Sequence, residues 1–150
     1  MATTLNADTS TGGFIATGDA SGDLGLQADG TTLATLSGSK VLFEGGIGEE
    51  YVAVTSTSNA TTVDLDTATN FSHTLTENTT FTFSNPVASG RASSFTLKIV
   101  QDASASGFTV TWPAAVDWPG GTAPTLTATA SAVDQFVFYT HDAGTTWYGF

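Results

Sequence analysis

Cysteine is absent and bases are scarce: Lys40, Arg91 and Lys98 stand against fourteen acidic residues, for a formal net charge of −11. The first absence removes disulfide and thiolate-metal frameworks, so a β-rich chain that must survive outside a cell needs another staple, and association with further copies is the usual one. The second sets the chain against phosphate backbones and anionic lipid surfaces, which argues against a nucleic-acid partner. Charge of either sign is thin at 11%, well below the roughly 25% of ordinary soluble domains. No apolar run approaches the roughly 18 residues of a membrane helix. The opening MATTLNADTSTGG lacks the basic start and apolar stretch of a secretion signal. Synthesis in a cytoplasm without membrane insertion is therefore expected. A sustained 3.6-residue apolar period is missing too, and with it any long amphipathic helix.

What remains is a strand-forming composition. Hydrophobic residues make up 40% of the 150, enough for one domain with a real core or one domain plus an arm. Threonine is the commonest residue, and its branched, hydroxylated side chain suits the half-exposed face of a sheet. Alternating segments predict strands at Tyr51 to Ser56, Thr61 to Asp66, Asn70 to Leu75, Thr79 to Ser84, Ser93 to Val100, Phe108 to Trp112, Thr125 to Thr129, Val133 to Thr140 and Thr145 to Phe150. Turn signals separate them, among them Ser58-Asn59, Asn85-Pro86, Ser106-Gly107, Pro119-Gly120-Gly121 and Asp142-Ala143-Gly144. Phe95, Leu97 and Ile99 should face a core opposite Thr96 and Lys98, and Phe81 and Phe83 should do so opposite Thr82. Val133 to Tyr139 is apolar on both faces, as expected of a strand covered twice, once by an opposing sheet and once by a neighbouring subunit or the arm. The spacing predicts an all-β chain with an antiparallel, jelly-roll-like β-sandwich over 51–150.

Residues 1–50 read differently, with many glycines, too few large apolar side chains to fill a core, and brief strands predicted at Gly13 to Thr17, Leu24 to Ala28, Thr32 to Leu36 and Lys40 to Phe43. They are expected to form an extended β-rich arm or small meander that gains its burial on partner chains. Leu24, Leu26, Leu33 and Leu36, with Phe136 and Phe138 of the doubly apolar strand, are the expected residues of oligomer or arm packing. The stretch Gly45-Gly46-Ile47-Gly48-Glu49-Glu50 is the expected hinge.

Residues 22–36, Gly-Asp-Leu-Gly-Leu-Gln-Ala-Asp-Gly-Thr-Thr-Leu-Ala-Thr-Leu, resemble the SGxLxLQxxGTTxLTI segments of phage tail-fibre proteins, where such segments form intertwined β-structure among three chains. Residues 61–150 resemble the terminal β-domain of phage fibre and virion proteins, through the Val-Asp-Leu-Asp start, the Thr-Phe-Thr-Phe-Ser-Asn-Pro hairpin and the ending Val133 to Phe150. The resemblance implies a non-enzymatic tailed-phage surface protein, a capsid decoration, head fibre or short tail fibre, trimeric and mounted on capsid or tail proteins at the virion surface. The chain is short and has no shaft, which favours a head position. A carbohydrate- or receptor-binding module for host attachment is the alternative.

Candidate sites are few. Asp19-Ala20-Ser21-Gly22-Asp23-Leu24-Gly25 spaces oxygen ligands as a calcium loop does, yet Gly30 and Thr31 stand where the closing acid belongs, which favours a polar hairpin loop. Asp64 and Asp66 share one strand face, where edge charges keep a strand soluble. His73 alternates with Phe71 and Leu75 and is expected in the core, whereas His141 is expected exposed. No serine lies in a Gly-x-Ser-x-Gly elbow, and no carboxylate pair is singled out for glycoside hydrolysis. No catalytic residue, cofactor or metal is expected. Trp112, Trp118, Trp147, Tyr139 and Tyr148 offer flat, low-entropy faces of the kind that stack on a host glycan; Trp112 and Trp147 are expected in core or subunit packing instead, and Trp118 and Tyr148 are the candidates for glycan or receptor contact.

Overall fold

The computed structural model describes residues 24–28, 31–37, 40–43 and 45–150, with side chains described at 41, 43 and 45–150. The expected strand at 13–17 and the oxygen-rich loop ahead of Leu24 lie outside the described residues, as do the side chains of Leu24, Leu26, Leu33 and Leu36. The chain divides into two units, Met1–Gly48 and Glu49–Phe150. Apart from one 3-10 turn at Pro119–Gly121, the regular structure described is all strand.

In the first unit β1 (Leu24–Ala28), β2 (Thr31–Ser37) and β3 (Lys40–Phe43) form an antiparallel three-stranded sheet in chain order. Leu24 pairs with Leu36 and Leu26 with Ala34, and an irregularity follows Leu26. Val41 and Phe43, two apart on β3, are both more than half exposed.

The second unit runs β4 (Tyr51–Val54), β5 (Ala60–Asp64), β6 (Asn70–Thr74), β7 (Thr79–Ser84), β8 (Ser93–Val100), β9 (Val110–Thr111), β10 (Val116–Asp117), β11 (Val133–Thr140) and β12 (Trp147–Gly149). One sheet has the order β10-β12-β11-β8-β6-β4, the other β5-β7-β9. From β4 to β9 the chain changes sheet at every connection, so β4, β6 and β8 are mutually parallel, as are β5, β7 and β9. Only β8 with β11 and β11 with β12 are antiparallel, and β10 returns parallel to β12.

The expected antiparallel jelly roll is therefore replaced by coils that wind between two facing sheets. Local turn chemistry was legible: Ser58 and Asn59 both adopt positive φ, and Thr57 and Ala60 exchange backbone hydrogen bonds of 3.0 and 3.3 Å, the form of a two-residue hairpin turn. That hairpin lasts for a single bridge, because β4 and β5 then diverge into different sheets. A strand with one buried face has the same alternation whether its neighbour runs with it or against it. The strand expected at Thr125 to Thr129 is an irregular segment, pinned where the Asp134 carboxylate accepts from the Thr127 backbone N–H (2.8 Å) and hydroxyl (2.9 Å). Val116–Asp117 is a strand the alternation was too short to reveal.

Phe71, Phe95, Leu97, Ile99, Phe136, Phe138 and Trp147 from the larger sheet meet Val63 and Phe81 from the smaller one in a single buried cluster. Phe83 stands edge-on to Phe95 (4.9 Å, 79°) and to Trp147 (5.4 Å, 81°). Trp112 stacks on Phe81 (5.4 Å, 18°) and reaches Phe136 and Trp118. His73 is buried as expected, and its ring ties the layers together: Nδ1 donates to the Val54 carbonyl at 3.0 Å, and Nε2 lies 3.2 Å from Thr79 Oγ1 on the opposite sheet. Phe136 and Phe138 belong to this core, not to a subunit contact, because their register opposite Leu97 and Phe95 carries them inward. The pattern of a doubly apolar strand could not say which of its two rows faces in.

Gly149 shows how tightly the core closes at one edge, since a Cβ there would sit 2.6 Å from the buried Trp118 ring. Gly149→Ala should lower stability by about 1–3 kcal/mol through overpacking, whereas Gly48→Ala, with open space around it, should leave the melting temperature unchanged. Thermal melts of the two variants measure this, and a Gly149→Ala protein that melts with the parent would contradict the packing described.

Candidate functional site

The two aromatic candidates separate cleanly. Trp118, at the end of β10 ahead of the 3-10 turn, is only 7% exposed and packs against Trp112, Phe136 and Phe138. It is a core residue with its edge at the surface, which corrects its expected role as a free stacking platform. The physical reason is the absent side chain at Gly149, which opens a slot for the indole. Tyr148 points to the other side of β12, next to Tyr139 of β11 in the antiparallel register and next to Asp117 of β10 in the parallel one.

Around Tyr148 the rings of Tyr139 and His141 gather, with His141 nearly parallel to Tyr148 (6.1 Å, 9°) and to Tyr139 (6.0 Å, 26°). Sequence reasoning placed Tyr139 with Tyr148 among the aromatic residues of a stacking surface but did not join His141 to them. Their signal was the two-residue spacing Tyr139-x-His141, opposite Tyr148 across a turn. That turn is held firmly. Asp142 Oδ1 accepts from the Thr140 hydroxyl (2.8 Å) and the Thr146 N–H (3.0 Å), while the Gly144 N–H donates to Thr140 Oγ1 (3.1 Å). Ala143 and Gly144 take the left-handed φ values of 58° and 78° that close the loop. Beside the rings lies a groove of ≈ 380 Å³ lined by Asp117, Trp118, Gly120, Gly121, Tyr148 and Phe150. A second cavity, ≈ 350 Å³ and mostly apolar, lies under the 123–128 segment against Phe108, Val110 and Trp112.

The ring group is one margin of a broader surface. The outward row of β11, expected to be covered, exposes Val133, Val137 and Tyr139. Tyr51 and Phe150 on the same face are also exposed, Phe150 at 64%. Lys98 lies at the centre, its Nζ 5.8 Å over the Tyr51 ring.

The other candidates resolve into local structure. Asp64 ends β5 and organises its turn, accepting from the Asp66 N–H (3.1 Å) and from Asn85 Nδ2 (2.8 Å). Among the described residues no three His, Cys, Asp or Glu side chains gather as a metal site, and no helix is long and apolar enough to cross a membrane. Hydrogen bonds lower the carboxyl pKa in three exposed turns: that of Asp64 chiefly through Asn85, that of Asp102 through Ser106, and that of Asp142 through the Thr146 N–H. Comparison with known proteins returns no matching family model, no matching characterised relative and no matching solved structure.

Two outcomes follow from these placements. Trp118→Ala should destabilise the protein by about 3–5 kcal/mol, whereas Tyr148→Ala should cost far less; denaturant titration of both variants checks the order. A carboxyl whose folded pKa is lowered stabilises the fold above its ordinary value and loses that contribution as pH falls through the folded value. From an ordinary value of 3.8, the melting temperature should be insensitive to these groups above roughly pH 5 and decline below roughly pH 4. Asp142→Asn should remove part of that decline in melts recorded across the acid range.

Proposed function

We propose that the chain is a non-enzymatic structural protein of a virus particle, displayed on its surface as a homo-oligomer, with the second unit outward and the first unit mounting it on capsid or tail proteins. The trimeric state and the phage setting come from the resemblance of residues 22–36 and 61–150 to fibre and virion β-domains. The second unit is read as a variant sandwich in which parallel coils take the place of jelly-roll pairs. The observation that carries the reading is the exposure of Val41 and Phe43 on β3. Apolar side chains set side by side on a small meander are what an attachment element presents before it meets its partner.

Native mass spectrometry of the full chain at micromolar concentration should find an oligomer, and Val41→Asp with Phe43→Asp should release it from purified particles. Labelled antibody against residues 49–150 should decorate intact particles in electron micrographs. A stable monomer that decorates nothing would end this reading.

A second reading, attachment to a host-surface glycan, is favoured by the Tyr139, His141 and Tyr148 rings beside the Asp117 groove. Flat rings match the apolar faces of sugars, and a carboxylate accepts from their hydroxyls. Glycan-array binding abolished by Tyr148→Ala with an unchanged melting temperature would support it, and an array without signal would remove it.

A further inference from the structure

We infer that the outer face of the six-stranded sheet is the surface on which a second copy of this chain docks. The inference rests on the proposal that the chain works as an assembly, and it assigns the contact within the second unit.

Composition of the face is the first argument. Among the described residues from 49 onward, the exposed large apolar side chains are Tyr51, Val87, Val133, Val137, Tyr139 and Phe150, and all but Val87 lie on this one face. The registers place Phe150, Val137, Thr96, Asn70 and Tyr51 in a single row across five strands. Val133, Val137, Tyr139 and Phe150 cluster on β11 and beside it, with Tyr51 across polar Thr96 and Asn70, and exposed apolar side chains collected on one face mark an interaction surface.

Charge decides what fits it. The whole chain carries −11, so two copies repel wherever carboxylates face each other. No outward position of β4, β6, β8, β11 or β12 is acidic. The sheet's outward acid is Asp117 on the marginal β10. Glu49, two residues ahead of β4, lies at the margin of the face near Thr96 and Val137, and its carboxylate is engaged by Asn70 Nδ2 at 2.6 Å. The central cation, Lys98, is occupied over the Tyr51 ring of its own chain, an attraction of the cation for the ring's negative face. A basic partner would be steered to the acid-rich loops elsewhere, and an anionic one would be repelled by the molecule as a whole. With its acids confined to Asp117 and Glu49 at the margins, the centre of the face is where two chains of this charge can meet closely, and its apolar side chains supply the attraction once they do.

The test uses the absence of cysteine. Val137→Cys and Val87→Cys each introduce one thiol into the full-length chain at an exposed position, on and off the face respectively. Maleimide labelling at a concentration where native mass spectrometry shows the oligomer should be about tenfold slower at 137 than at 87, and the difference should vanish on dilution to the monomer. Equal rates in the oligomer would overturn this assignment while leaving the assembly reading intact. Protection at 137 that persists in the diluted monomer would also overturn it, because the cover would then belong to the same chain. A chain that is monomeric at every concentration would overturn the assembly reading itself.

Discussion

Adhesion between the two sheets of the second unit is the interaction on which the rest of the structure depends. Its backbone hydrogen bonds run along each sheet, between coils, so contact across the core is left almost wholly to side chains. Rings supply most of it. Phe83 from the smaller sheet is set into a frame of Phe95, Phe138 and Trp147 from the larger, and Phe81 is covered by Trp112 and by the edge of His73. An edge-on aromatic pair adds about 0.5–1.5 kcal/mol beyond its buried area, and several such pairs share each ring. His73 adds polar direction. Its bonds to Val54 and Thr79 fix how the first coil sits over the second, a register that apolar contact alone would leave free to slide.

Much of this was legible because burial imposes a period of two. Ser93 to Val100 and Val133 to Thr140 were readable to the residue, with Phe95, Leu97 and Ile99 facing in. The strand at Thr79 to Ser84 was equally clear. The pairing was not legible, since strand direction is set by where the chain goes after each turn, and that is a property of the whole core. Ser58-Asn59 announces a hairpin by its residue types, and the turn forms, but the apolar residues that follow find better burial opposite β4 than beside it. The Trp118 position failed for a related reason. An aromatic residue in a Pro- and Gly-rich loop looks exposed until Gly149, thirty-one positions later, is seen to leave room for it. For the candidate site, Tyr148 was readable as the outward residue of its strand. Tyr139 was readable with it as an aromatic partner, but the place of His141 between them required the β11–β12 register.

Winding the chain between two sheets also creates an asymmetry of ends. Among the described residues the coils begin with β4 and β5 at the edges of their sheets and end on β8 and β9; β9 is again an edge, whereas antiparallel β11 covers β8 along its whole length. β4 is uncharged and free of proline, so of the usual devices that discourage strand addition it keeps only its short length. At the other side of the sheet, β10 ends in Asp117 and gives way to the Pro119–Gly121 turn, a short and charged margin of the kind that stops pairing. One side of the larger sheet is terminated and the other is merely ended.

Low charge density and a strongly one-signed net charge act together on such a molecule. A surface built from threonine, serine and glycine hydrates well but repels weakly, so the fourteen acids carry nearly all of the force that keeps copies apart, and where they sit decides which contacts are permitted. In the second unit Asp64, Asp102 and Asp142 stand at turns, where each accepts backbone or side-chain hydrogen bonds that hold its pKa down and keep it ionised. The same residues thus close the turns and charge the rim. The centre of the sheet face, where β6, β8, β11 and β12 place no outward acid, is then the consequence of a division of labour, with turns and margins supplying repulsion and central strands supplying apolar side chains, and it gives an otherwise sparsely charged protein a preferred direction of approach.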